Sequence, residues 1–406
     1  MAEQTLGDRD ERLAENFEGD EFTECFSISE GISFRSKLGT AASRDVTESA
    51  TDATAGRVMR VGDFGIGGRP EAEFVTGHDS TGPTVIVPDT LRASVEAASG
   101  GRVTVLYDNL GLPSYMVRVP AFNLEDIHSD FGTGRHPAFV VDGVNKPEIF
   151  VGMHLASVYQ NRAISIPGLD PAASIDWDTA SLRCTAKGSG WHLMTNWEWA
   201  AVVLWIMKQV TDEVLPGQPR GNTNFGRAHD EYQETGTRQD GGTYNPGEAT
   251  GTARTLTGSG PVSWRHDCSP AGIADMVGNI WEWVGGMKIV DGAIYMPNDN
   301  NYSMADSNYP DQDATITDAN PWTSDGVAVG AGGDTTLLRA ALLKPATAVT
   351  DTVNGRLYVN QTDERMPLRG GSWNNGSNAG LAALFLLSAR SRVGTLIGCR
   401  PAFVAP

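Results

Sequence analysis

Cysteine and basic charge are scarce in this chain, and no long apolar run occurs. Four cysteines are spread over 406 residues (Cys25, Cys184, Cys268 and Cys399). They form no CxxC pair, so neither a zinc site nor a disulfide framework is expected. Lys and Arg total 31 against 50 Asp and Glu, a formal charge of −19. No Lys/Arg run interrupts that field, which argues against nucleic-acid partners and repels anionic lipid. No stretch approaches the roughly 18 consecutive apolar residues that span a bilayer, so no membrane insertion is expected. The N-terminal MAEQTLGDRDERLAENFEGDE is acidic and polar, unlike a signal peptide. Synthesis in the cytoplasm without Sec export is the expectation.

Catalytic signatures are missing too. GxxxxGK(S/T), HExxH and GxSxG do not occur. The seven histidines (His78, His128, His136, His154, His192, His229, His266) are scattered, with none four residues from another. No metal centre is expected from them. The glycine-rich GDFGIGG opens no obvious helix, so it is not read as a phosphate cradle. The Asp/Asn-rich run from Asn298 to Asp313 carries the oxygen donors that calcium takes. Most such runs are only solvated, and no cofactor is expected beyond that one structural-calcium option.

Texture divides the chain. Residues 1–56 hold few bulky apolar side chains, and Lys37 to Gly56 could not bury enough surface to fold alone. They read as an extended shaft or linker. Residues 57–82 read as a short β connector, with Val58, Met59, Val61 and Phe64 ahead of a glycine turn. From 83 to 406 the pattern is that of one α+β domain. VIVPDTLRASV, GRVTVLYDN and YMVRVPAFNLEDI suggest short strands and one helix. His136 to Ser157 reads as a hairpin about Asp142-Gly143-Val144-Asn145. All ten tryptophans fall between Trp177 and Trp373, which points to one compact aromatic core. TNWEWAAVVLWIMKQV predicts a helix, with Thr195 and Glu198 spaced as a capping box. Residues 216–262 and 296–365 read as two long loop-like insertions, the second with an Ala/Leu segment from Leu337 to Ala346.

Four segments in order then carry a resemblance: GWHLMTNWEWAA (190–201), DMVGNIWEWVGG (275–286), LRGGSWNNG (368–376) and IGCRPAF (397–403). Together they resemble the C-type-lectin-like fold of the formylglycine-generating-enzyme branch. Within them Trp281 and Trp283 alternate about Glu282, as at a buried strand edge. Arg369 and Arg400 are candidates to pair with buried carboxylates such as Glu282. The enzymes of that branch need a reactive cysteine after the RGGS-type segment. Here no cysteine lies between Ser372 and Ile397, so the resemblance carries the fold without the activity.

Two further resemblances point to phage tails. LGTAASRDVTESATDATAGRVMRVGDFGIGG is similar to a segment of tailed-phage and prophage tail fibres, where it generally belongs to a trimeric shaft. That implies a homotrimer and other tail proteins as partners. LRGGSWNNGSNAGLAALFLLSARSRVGTLIGCRPAF resembles the variable region of proteins diversified by retroelements, the phage tropism determinants among them. The variable region spans about 369–403. Adenine mutagenesis of AAC or AAT codons cannot yield Lys, Glu, Gln, Met or Trp, and none of these occurs from Asn374 to Arg400.

Alternation there separates scaffold from display. Leu384, Leu386, Ile397 and Arg400 are expected inside. Phe385, Leu387, Ser388, Arg392, Val393, Gly394, Thr395 and Leu396 are expected to form a ligand-binding surface, with Asn374, Asn375 and Asn378 as further candidates. The implied role is a receptor-binding tail-fibre tip on the virion, with no enzymatic activity, that meets a host cell-surface receptor. The rivals are a formylglycine-generating-type enzyme with its nucleophile elsewhere and a purely structural tail protein.

Overall fold

The computed structural model describes residues 22–27, 33–37, 89–209, 220–223, 234–242, 252–317, 321–346 and 353–406. The chain divides into two units, Met1–Thr90 and Leu91–Pro406. In the first, β1 (Phe22–Ser27) and β2 (Ser33–Lys37) form an antiparallel pair. The expected shaft beyond Lys37 and the connector over 57–82 lie outside the described residues.

The second unit is a mixture of α and β structure with short helices and several sheets. Helix α1 (Thr90–Ser99) leads into β3 (Val103–Tyr107) and β4 (Pro113–Pro120). Strands β5 (Val140–Val141) and β6 (Val144–Asn145) form a small hairpin. Its turn residues Asp142 and Gly143 have φ of 48° and 74°. Positive φ at both central positions is what a two-residue hairpin turn of matching twist demands. The hairpin is thus smaller than the sequence pattern implied. The second β-rich run becomes β7 (Glu148–Gly152), which pairs with β4. Four of its five residues are buried, which suits an interior strand covered on both faces.

Further along come β8 (Ser157–Tyr159), β9 (Arg162–Ile164), α2 (Trp177–Thr185), β10 (Trp191–Leu193) and α3 (Asn196–Gln209). Then follow β11 (Trp281–Trp283), β12 (Lys288–Val290), β13 (Ala293–Tyr295), β14 (Asp311–Ile316) and β15 (Val327–Val329). The chain closes with α4 (Thr335–Ala340), β16 (Leu357–Val359), β17 (Glu364–Arg365), β18 (Leu368–Gly370), β19 (Gly380–Leu386), β20 (Ile397–Cys399) and β21 (Pro401–Phe403). Among the described residues, three five-stranded sheets result, ordered β10-β21-β7-β4-β3, β16-β19-β18-β11-β20 and β15-β14-β13-β12-β17.

Helix α3 sits where residues of all three sheets meet. Trp197 and every residue from Trp199 to Ile206 are buried, so the helix is apolar all round, as an enclosed helix must be. The capping box forms as the sequence predicts. Thr195 N–H donates to Glu198 Oε2 at 2.9 Å, and Glu198 N–H donates to Thr195 Oγ1 at 3.1 Å. The buried Glu198 also accepts from His192 Nε2 at 2.8 Å and Asn300 Nδ2 at 3.0 Å. Trp197 and Trp199 donate their indole N–H groups to the carbonyls of Pro297 and Leu381. Each indole buries a large apolar body while satisfying its one donor on another layer.

Other expectations need correction. The tryptophans do not share one core. Trp197, Trp199, Trp205 and Trp322 pack with α3, whereas Trp177, Trp281 and Trp283 form a second cluster beside β19, with Trp191 and Trp373 in others. Strand β11 is no edge, because it lies between β18 and β20. Residues 296–365 are not a loop insertion. They supply β14, β15, α4, β16 and β17. In β14 Gln312, Ala314 and Ile316 face inward while Asp311, Asp313 and Thr315 face out. That alternation is hidden in the sequence by the acidic outward face. Much of 216–262 lies outside the described residues.

Candidate functional site

Two buried arginines hold the sheet that carries the expected surface. Arg400 grips Glu282 with two hydrogen bonds of 2.8 Å and donates to the carbonyls of Gly152 and Ala274. Burial raises the Glu282 pKa and Arg400 opposes it. This is the pairing that the sequence offered for Arg400. Arg369 does otherwise. It donates to Asn196 Oδ1 at 3.0 and 2.7 Å and to the Leu342 carbonyl at 3.2 Å. Lacking a carboxylate partner, its pKa is pulled down by burial to about 9. Gly370 and Gly371 follow with φ of 90° and 96°. A Cβ on Gly371 would lie 2.5 Å from that of Ala379, so the turn into the Asn-rich loop requires glycine.

Strand β19 lies between β18, antiparallel, and β16, parallel. Leu384 and Leu386 point into the α3 core and are fully buried. The opposite face carries Phe385, half-buried and packed between Trp281 and Tyr358, with both ring centroids at 5.3 Å. The Arg356 guanidinium covers Tyr358, 4.5 Å from its centroid. Leu387 follows beyond the end of the strand, 41% exposed. Leu396 meets the same place, since its carbonyl accepts from Trp281 N–H at 2.7 Å and its side chain packs on that cluster and on the one containing Trp373. The structure thus brings Phe385 and Leu396 together on an aromatic platform.

The loop between β19 and β20 is pinned at its base and open at its crest. Arg390 contacts Asp178 at 2.8 Å, Asp306 at 2.5 Å and Glu364 at 3.2 Å, and its guanidinium lies 4.7 Å from the Trp177 ring centroid. These hydrogen bonds and charges raise its pKa despite burial. Its carbonyl accepts from Trp177 N–H, and that of Gly394 accepts from Ser174 N–H at 2.9 Å. Arg392 and Val393 between these anchors and Thr395 just past the second are exposed, Val393 by 50%. Gly394 and Leu396 are half-buried.

Several candidates lie elsewhere than the sequence suggested. Ser388, two residues past the end of β19, is buried, and its carbonyl accepts from Met366 N–H at 3.0 Å. It is not a surface residue. Asn375 is half-buried and turned inward, its Oδ1 accepting from Ser372 Oγ at 2.6 Å and from Ser372 N–H at 2.9 Å. Asn378 is half-buried and its carbonyl accepts from Arg356 N–H, while Asn374 is exposed. Tyr358, Arg356 and Arg390 were not foreseen as site residues. Tyr358 and Arg356 fall in the stretch read as an insertion. No local signal marks Tyr358, because it reaches Phe385 only through the pairing of β16 with β19.

No protein-family model matches the chain, and no curated protein does either. Solved structures similar to it include the Major Tropism Determinant U1 variant, at 15% identity over 71% of this chain, with a TM-score of 0.27. The match spans 63% of that chain. Treponema denticola variable protein 1 is similar at 12% identity over 74% of this chain and 98% of that one, TM-score 0.32. PvdO from Pseudomonas aeruginosa is similar at 13% identity over 74% and 97%, TM-score 0.30. At such identities and scores these likenesses carry no argument about what this chain does.

The thiols and acidic loops also have definite places. Cys184 and Cys399 are buried and share a hydrogen bond, and burial pushes the Cys184 thiol well up. Cys268 is exposed, and its pKa is raised by partial burial and by Asp267. A reactive thiolate needs the opposite shift. In the Asn298–Asp313 run, Asn298 accepts from Gln312, Asp299 accepts from the Gly143 and Asn301 N–H groups, and Asn301 donates to Asp142. No group of three metal-ligating side chains comes together among the described residues. Nor is any helix among them long and apolar enough to cross a membrane.

Proposed function

We propose that this chain is the receptor-binding tip protein of a phage or prophage tail fibre. In this reading the second unit is a C-type-lectin-like domain of the formylglycine-generating-enzyme branch that presents a ligand-binding surface diversified by a retroelement. The surface comprises Phe385, Leu387, Arg392, Val393, Gly394, Thr395 and Leu396, with Asn374 beside it and Tyr358 and Arg356 as fixed flanks. Its partner is a host cell-surface receptor. The chain acts as a homotrimer joined to other tail proteins on the virion, and it performs no catalytic step.

One observation carries the reading. Within a single stretch that lacks all five residue types inaccessible to adenine mutagenesis, buried positions hold the sheet while the neighbouring Leu387, Arg392, Val393 and Thr395 face solvent. Exposed Leu and Val close to an aromatic platform are unfavourable on an idle surface and apt for a binding patch. Rigid strands and the Arg390 ion pairs hold that patch while its side chains can change.

The test is to sequence the 3′ coding end in many isolates of one lineage. Substitutions confined to adenine-derived codons at 385, 387 and 392–396, sparing 384, 386, 397 and 400, are expected. Substitutions spread evenly over 369–403 overturn the diversification. An aldehyde formed on a cysteine-containing peptide would overturn the non-enzymatic reading.

A further inference from the structure

A second candidate site lies away from the β19 surface. A cavity of about 490 Å³ opens between α1, β3, β4 and the 265–271 loop. That volume lies in the range of small-molecule sites, roughly 300–1,000 Å³. None of its lining residues belongs to β19 or to the 389–396 loop. Val95, Val103, Met153 and Ala271 give it apolar walls. Water gains little against such walls, whereas an apolar group of matching size gains the full transfer free energy.

Polar groups line it as well. Arg102 and Arg265 line the cavity together with His154. Arg102 is bound to Asp267 and donates to Ser269 Oγ at 3.2 Å, which fixes its guanidinium. Arg265 Nη1 donates to the Gly272 carbonyl at 2.9 Å. The nearby carboxylates are all engaged, Asp267 by Arg102 itself. Asp267 accepts from Arg102 and Ser269, Asp275 accepts from Gly258 N–H, and Glu282 is held by Arg400. Burial lowers the Arg265 pKa despite Asp275 and Asp267 nearby. The His154 imidazole is 2% exposed and its Nδ1 has no hydrogen-bond partner. Burial first, then Arg265 and Arg400, hold His154 neutral with a pKa of about 3. An incoming anion would meet the Arg265 guanidinium and a neutral ring, while the Arg102 charge is already paired with Asp267.

We infer that this cavity binds a small amphipathic carboxylate, a chain or ring of about eight carbons with its carboxylate directed at Arg265. The apolar body fills the space between α1 and the 270–271 turn. The inference stands independently of the receptor-binding reading, because it uses none of the same residues.

The experiment is calorimetric titration of the full-length chain with octanoate, 1-octanol and propanoate. Octanoate should bind saturably, one molecule per chain. Octanol should bind roughly tenfold more weakly, the worth of one charge-assisted hydrogen bond. Propanoate, lacking the body, should show no saturation. Arg265→Gln should bring octanoate down to the level of octanol. Ala98→Trp, placed on the exposed helix rim of the cavity, should abolish both. Absence of saturable octanoate binding overturns the inference and means the cavity is empty or filled by the chain itself. Equal affinity for acid and alcohol overturns the assigned head-group contact, as does an Arg265→Gln protein that binds octanoate unchanged. If Ala98→Trp fails to fold, the acid-to-alcohol ratio of the unaltered chain decides.

Discussion

Phe385 and Leu387 are two residues apart, yet their removal should differ sharply in cost. Phe385 is half-buried with rings at 5.3 Å on two sides, whereas Leu387 is 41% exposed beyond the strand end. A fully buried Phe→Ala change costs about 3–5 kcal/mol, so half burial implies about 2 kcal/mol. Loss of two aromatic contacts, about 0.5–1.5 kcal/mol each in full geometry, brings Phe385→Ala to about 2–3 kcal/mol. Leu387→Ala should stay within about 0.5 kcal/mol. Urea unfolding of the full chain reads both as shifts in midpoint at constant slope. A Phe385/Tyr358 double-mutant cycle should show coupling of about 0.5–1.5 kcal/mol, and a Phe385/Leu387 cycle none. Equal costs for the two single changes would refute the division of this strand into platform and display.

Three further outcomes follow from the buried charges. Burial holds His136 and His154 at a pKa of about 3 and His266 at about 4, against an ordinary 6.5. Between pH 6.5 and 4 the unfolded chain binds protons that the folded chain does not. Stability should therefore fall as pH falls, by about 1.4 kcal/mol per pH unit for each ring. Flat stability from pH 7 to 5 would contradict this. Glu282→Ala leaves the wholly buried Arg400 unpaired and should cost about 3–5 kcal/mol in denaturant titration, and a cost under about 1 kcal/mol would contradict the ion-pair account. Arg390→Ala removes half-exposed, screened contacts worth about 1 kcal/mol in stability. Its clearer sign should be faster hydrogen exchange at the amides of Arg392 and Ile397, and unchanged exchange would show that Arg390 does not pin the loop.

Local chemistry was readable in the sequence wherever neighbours along the chain decide it. The Thr195/Glu198 cap needs only a three-residue spacing, and Leu384 and Leu386 need only alternation. Arg400 could be assigned to Glu282 because a buried guanidinium demands a carboxylate and few lay in the core segments. The same logic misled for Arg369. Its acceptors are the Asn196 side-chain amide on α3 and backbone carbonyls of Leu342 after α4 and Ala382 on β19, 13 to 173 residues away, and sequence spacing says nothing of them. Ser388 was misplaced because the alternation that puts Leu384 and Leu386 inside was not followed one step further; although the strand ends at Leu386, Ser388 is still turned inward and its carbonyl accepts from Met366 N–H. The third sheet was hidden for another reason. Its strands are only two to six residues long and β14 carries an acidic outward face, so composition spoke for loop while pairing partners supplied the structure. Tyr358 depends on that same long-range pairing, through the parallel contact of β16 with β19.

The central claim is that the exposed crest beside the aromatic platform recognises a cell surface. Its most direct test is the binding of fluorescently labelled full-length chain to host bacteria, compared with a chain in which Leu387, Arg392, Val393 and Thr395 are all changed to Ser. The account predicts that the altered chain keeps its melting temperature, since all four side chains are exposed, and loses cell binding. Undiminished cell binding by the altered, fully folded chain would contradict it.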